Sequence, residues 1–182
     1  KQAKGYVKLI RYCDDFVVVC ESEHDAKQFL LQLKGRLSKF YLEVSEEKTQ
    51  IIKFGRNAWK QAKRKGENLK SFDFLGFTHF CKASRKGWLV IGHKTSKKRL
   101  ASKLKGSNQW LKSIRSVCPM RDWWKLVQAK LRGYYNYFGI SGNIRCLAQY
   151  YWKVKLLCFK WVNRRSQKKN VNWEKFTEYM QY

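Results

Sequence analysis

Residues 6–20 read Tyr-Val-Lys-Leu-Ile-Arg-Tyr-Cys-Asp-Asp-Phe-Val-Val-Val-Cys, two apolar runs around an adjacent carboxylate pair. The pattern predicts a β-hairpin with Asp14 and Asp15 at its tip. Asp also suits turns for its own backbone reasons, so the pair alone is compatible with plain turn chemistry. Its surroundings argue for more. Carboxylates are normally expelled from strand-rich apolar segments, because burying a charge is costly unless a positive group neutralises it. A chain of net charge +27 that keeps two of them there points to a bound cation. Mg²⁺ is the natural candidate, since it takes oxygen ligands and is held by one or two carboxylates together with substrate phosphates. The chemistry predicted is metal-assisted phosphoryl transfer on nucleic acid. A pair of ions clamping the attacking and leaving oxygens needs at least one further carboxylate from a separate strand.

Charge supports a nucleic-acid partner. The 182 residues carry 40 Lys and Arg against 13 Asp and Glu, unevenly spread. Residues 1–92 hold 19 basic and 10 acidic side chains, and residues 93–182 hold 21 and 3. So much like charge repels itself unless a polyanion is near. Aromatic residues make up 16% of the chain, and rings interleaved with cations suit single-stranded or structured RNA. No apolar run approaches the ~18–20 residues that span a membrane, and no signal-peptide pattern opens the chain. The six cysteines form no CxxC pair and have no histidine at ligand spacing, which argues against zinc and against a disulfide framework. They read as small buried hydrophobes in a reducing cytoplasm.

Beyond the hairpin, Ser22 or Glu23 opens a predicted helix to about Lys39, with Phe29, Leu30, Leu33 and Leu37 as its apolar stripe. Leu42–Val44 and Thr49–Phe54 read as strand pieces, and the basic stretch 56–70 as a solvated loop. Phe72–Phe80 alternates like one half-buried strand, with Trp88–Ile91 as a hairpin partner across Ser84–Gly87. From about His93 the period becomes helical. Thr95 or Ser96 caps a helix bearing Leu100, Leu104, Leu111 and Ile114. Pro119 opens a second with Trp123, Val127, Leu131, Tyr134 and Phe138. After a turn and cap at Ser141-Gly142-Asn143, a third carries Leu147, Tyr150, Val154, Leu157 and Trp161, and a short segment follows around Trp173–Tyr179. Gly133 sits mid-helix, where it costs up to about 1 kcal/mol relative to Ala; a close helix crossing is the preferred reason, an RNA backbone contact the other. The fold class predicted is α+β, residues 1–92 an antiparallel sheet with a helix and residues 93–182 an all-α bundle.

Tyr12-Cys13-Asp14-Asp15 resembles the Tyr-x-Asp-Asp box of reverse transcriptases. Residues 42–49, Leu-Glu-Val-Ser-Glu-Glu-Lys-Thr, resemble the following block, in which a Lys lies near the incoming nucleotide, here Lys48. Phe74-Leu75-Gly76-Phe77 resembles the next, which grips the primer terminus. Leu131-Arg132-Gly133-Tyr134-Tyr135-Asn136-Tyr137-Phe138 and Trp161-Val162-Asn163-Arg164-Arg165 are similar to the thumb and maturase-specific region of group II intron-encoded proteins. The x position is usually Ala in that group and is Cys13 here; both are small.

The resemblance implies a partial polymerase palm over 1–92 and a thumb/maturase bundle over 93–182. The whole enzyme would be an RNA-directed DNA polymerase using Mg²⁺ on Asp14 and Asp15, with dNTP and an RNA/DNA template–primer as partners. Tyr12, Lys48, Phe74, Leu75 and Gly76 would contact nucleotide or primer. Lys97, Lys98, Arg99, Arg132, Arg164, Arg165, Lys168 and Lys169 would bind intron RNA. The family's other catalytic Asp lies on an earlier strand, and Asp25, at the start of a surface helix, and Asp73 do not replace it. The chain opens on Lys1, not Met, and reads as the C-terminal part of something longer, inactive as a polymerase by itself. A bacterial or organellar cytoplasmic location is expected. The alternatives are a non-enzymatic maturase remnant that only binds RNA, and a reverse transcriptase of a retron or defence lineage.

Overall fold

A computed structural model describes residues 4–165 and 171–180. Its architecture is α+β, with antiparallel sheets and, among the described residues, six helices. The chain groups into two units, Lys1–Leu75 with His79–Gly92, and Gly76–Thr78 with His93–Tyr182.

In the first unit, β1 (Val7–Tyr12) and β2 (Asp15–Cys20) form a two-stranded antiparallel ladder. Helix α1 (Glu23–Ser38) follows at once and packs on β2. Ser22 caps it, its Oγ accepting the Asp25 N–H at 3.0 Å. The expected stripe of Phe29, Leu30, Leu33 and Leu37 is only half-buried. The buried residue of α1 is Asp25, 4% exposed, which corrects the reading of it as a surface position. Its Oδ1 and Oδ2 accept the N–H groups of Lys4 and Gly5, each at 3.2 Å. Glu21 extends this clasp, its Oε2 accepting the Tyr6 N–H at 3.0 Å.

Three expectations fail in this unit. Leu42–Val44 and Thr49–Phe54 are not strands: Tyr41 turns the chain at φ 55, residues 46–48 form another turn, and neither piece joins a ladder. The stretch 56–70 is no plain loop, because Arg56–Lys65 forms α2. Ala62 is its buried residue, Trp59 is half-buried, and Gly66 closes it in the left-handed conformation typical of a helix C-terminus. Phe72–Phe80 is not one strand but two, β3 (Phe72–Phe74) and β4 (Phe77–Ala83), folded back at Leu75-Gly76. The sheet order is β3-β4-β5, where β5 (Leu89–Thr95) continues past His93 into the region expected to be helical.

The second unit buries the main core. Helices α3 (Lys97–Ile114), α4 (Met120–Phe138) and α5 (Ile144–Val162) pack with α5 against both others, and α6 (Trp173–Tyr179) adds Phe176. Every member of the α4 stripe, Trp123, Val127, Leu131, Tyr134 and Phe138, is buried. Each aliphatic or Phe side chain so buried contributes about 1.5–3 kcal/mol. Ser96 is the α3 cap, accepting from the Arg99 N–H at 3.3 Å. Asn143 holds the position before α5, but its side chain bonds elsewhere and does not cap the helix. Gly133 meets no close crossing: a Cβ there would find nothing within 4 Å. The cysteines are also less uniform than expected, with Cys158 buried, Cys13 exposed and the other four half-buried. No helix among the described residues is long and apolar enough to cross a membrane.

Candidate active-site hairpin and basic faces

The β1–β2 register places Tyr12 directly opposite Asp15, so Cys13 and Asp14 are the whole loop. Two-residue hairpin loops require a positive φ at their first position, and Cys13 supplies φ 50. Asp14 is thereby fixed in the turn and Asp15 at the first rung of the ladder. Cross-strand partners share a face, so Asp15 and Tyr12 stand on the same side, with Tyr12 63% exposed. Both carboxylates are open to solvent. The donor set suits Mg²⁺, a hard cation that prefers carboxylate oxygen and keeps several waters and phosphate oxygens in its shell. It is a partial set: among the described residues no three His, Cys, Asp or Glu side chains gather as a metal site.

Lys48 ends the turn 46–48, its N–H bonded to Ser45 O at 3.2 Å and its side chain exposed. Phe74 is half-buried at the end of β3. Leu75 (φ 50) and Gly76 (φ 80) form the loop of the β3–β4 hairpin, both in the left-handed region. Two consecutive positive φ values are the demand of a type I′ turn, which accounts for a glycine at position 76.

The structure then joins residues far apart in the chain. Gly76 O accepts the N–H of Ser96, the α3 cap, at 2.9 Å. A Cβ on Gly76 would lie 3.4 Å from Arg99 Nε and 3.6 Å from Phe138 Cε1. Gly76 therefore sits directly against the first turn of α3, where Lys97, Lys98 and Arg99 are all exposed and which holds no acidic residue. Phe77, next in line, stacks on Tyr137 at 6.0 Å.

The other basic positions are spread over the helical unit. Arg132 is exposed midway along α4. Arg164 and Arg165 follow α5, where Arg165 Nη1 donates to Cys118 O at 2.9 Å. Lys168 and Lys169 lie outside the described residues. Sequence reasoning missed Arg115 and Lys160, which flank Trp161 together with Arg164.

No curated protein matches the chain. The Asp14–Asp15 hairpin, Lys48 and the Phe74–Gly76 turn nevertheless all fall within residues 1–79, the stretch that matches the family model described as reverse transcriptase (RNA-dependent DNA polymerase).

Proposed function

We propose that residues 1–92 form the part of a reverse-transcriptase palm that carries two catalytic carboxylates. Residues 93–182 form the thumb and maturase-specific region of a group II intron-encoded protein. The observation that carries this reading is the hairpin: Asp14 in its two-residue loop and Asp15 on its first rung are both open to solvent beside Tyr12, inside the stretch matched by the polymerase family.

Asp14 and Asp15 would hold Mg²⁺, which when bound stabilises charge on phosphoryl oxygens. The rigid ladder keeps the two carboxylates in one place, so that nucleotide and primer meet a fixed geometry. Lys48 contacts triphosphate, and the Leu75-Gly76 turn steadies the primer beside Arg99. Lys97, Lys98 and Arg99 meet backbone phosphates with the positive end of α3 behind them. The third carboxylate is supplied by another strand, so the 182 residues alone do not extend a primer.

In an enzyme that contains these residues within a complete palm, Asp14→Ala or Asp15→Ala abolishes DNA synthesis, while binding of the intron RNA survives. Wild-type extension by either variant would overturn the assignment. A non-enzymatic maturase gives a different result: the parent protein supports splicing and neither substitution changes anything.

A further inference from the structure

Trp161 gathers three cations and no carboxylate. It sits on the last turn of α5, 4% exposed, and its Nε1 donates to Asn108 Oδ1 of α3 at 2.9 Å, which fixes the ring. Arg115 Cζ, from the end of α3, lies 5.2 Å from the ring centroid, Lys160 Nζ 5.3 Å and Arg164 Cζ 5.5 Å. No two of these charges are farther apart than two such distances, about one Debye length at 0.1 M salt. Among the described residues none of the three makes an ion pair with a carboxylate. Residues 93–182 hold only three acidic side chains, Asp122, Glu174 and Glu178.

Helix C-termini attract cations, and that accounts for one charge near the end of α3 and one near the end of α5. An aromatic ring also attracts a cation. Neither effect explains a third like charge in the same place without a counter-ion, because the three repel one another. The arrangement is also held in position. Asn108 orients the indole, and the bond from Arg165 to Cys118 O ties the end of α5 to the segment before α4.

We propose that Arg115, Lys160 and Arg164 form a phosphate-binding cluster around Trp161 that grips the backbone of a folded RNA. The cations come from two separate chain segments and surround a ring, so they suit successive phosphates of a strand better than one small anion. Guanidinium groups match phosphate oxygens in a bidentate manner. The site anchors RNA and takes no part in nucleotidyl transfer. It rests on the reading of the helical unit as an RNA-binding region, and locates that binding at one end of the bundle.

The test is binding of a hairpin RNA by the 182-residue chain, read by fluorescence anisotropy over a series of salt concentrations. The triple variant Arg115→Gln, Lys160→Gln, Arg164→Gln is expected to bind about tenfold to a hundredfold more weakly near 0.1 M salt, with the log–log salt slope reduced by about 2 to 3. Lys63→Gln, Arg64→Gln, Lys65→Gln on α2 removes the same charge elsewhere and should lose far less. Arg115→Lys with Arg164→Lys keeps the charge and should keep the slope. Lys160→Gln alone, at an exposed position, carries the same test with a slope change of about one should the triple variant not fold. Equal losses in the triple and α2 variants would overturn the proposal, since only net charge would then matter. Unchanged binding by a folded triple variant would overturn it as well, leaving the wider RNA-binding reading intact. If the parent chain binds no RNA, that wider reading fails and the proposal with it.

Discussion

Asn143 holds Thr95 twice: its Oδ1 accepts the Thr95 N–H at 2.9 Å, and its Nδ2 donates to Thr95 Oγ1, also at 2.9 Å. The same Nδ2 donates to Phe138 O at 2.8 Å. One buried amide, 1% exposed, thus ties the end of β5 to the end of α4 and the start of α5.

Asn143→Ala should destabilise the chain by about 1–3 kcal/mol, because it leaves the buried Thr95 N–H unsatisfied and takes one of two donors from Phe138 O, which keeps the Ile140 N–H. Asn143→Asp should cost more, since a carboxylate offers no donor for Phe138 O and would bury a charge. Urea denaturation of the two variants measures this. A loss below about 0.5 kcal/mol for the alanine variant would mean that water replaces the amide and that the staple has little weight.

Asp25 gives a pH-dependent counterpart in the first unit. The Ser22 hydroxyl and then the Lys4 amide hold its carboxyl below the ordinary 3.8; burial opposes them, and the Gly5 amide and His24 charge add to the lowering. A carboxyl whose pKa falls on folding stabilises the folded chain above its unfolded pKa, and loses that stabilisation as pH drops through the folded value. Asp25→Asn should therefore lower the melting temperature near neutral pH, and the gap to the parent should close as pH falls below 3.8. Melting curves across that range decide it. A gap of constant size would show that the clasp works without the charge.

The helices of the second unit are plain in the sequence because their apolar residues recur at three- and four-residue steps; the α4 stripe from Trp123 to Phe138 is buried at every position that period marks. The hairpin was equally legible, since two apolar runs around Cys13-Asp14 admit only a short loop. Helix α2 was hidden by its composition. Every residue of it but Ala58, Trp59 and Ala62 is polar, and Gly66, a residue that suits a loop, is its stop. Leu42–Val44 failed for the opposite reason, being apolar enough for a strand but left without a partner. The Thr95–Asn143 bonds and the cations around Trp161 could not be read, because each brings together segments about 50 residues apart in sequence and depends on where a side chain reaches.

Thiol reactivity should follow burial, and so report on the hairpin. Cys158 is fully buried and its thiol is pushed up to about 12 by desolvation, whereas Cys13 is exposed at the loop beside Asp14. Thiolate is the reactive form. Iodoacetamide at mildly alkaline pH should label Cys13 early and Cys158 only after denaturant is added, as followed by peptide mass spectrometry. Early labelling of Cys158 would contradict the packing of α5 against its neighbours.

Gly133 separates folding from function in the helical unit. It lies mid-helix in α4, exposed, beside Arg132, and a Cβ would meet nothing within 4 Å. With no crossing to accommodate, Gly133→Ala should stabilise the chain by about 0.5–1 kcal/mol through the higher helix propensity of alanine. Under the proposed RNA-binding role of the helical unit, the bare backbone at Gly133 leaves room for an RNA strand next to Arg132. The same variant should therefore bind the hairpin RNA more weakly although it melts at a higher temperature. Higher stability with unchanged affinity would remove Gly133 from the RNA interface, and lower stability would place an unseen neighbour against it.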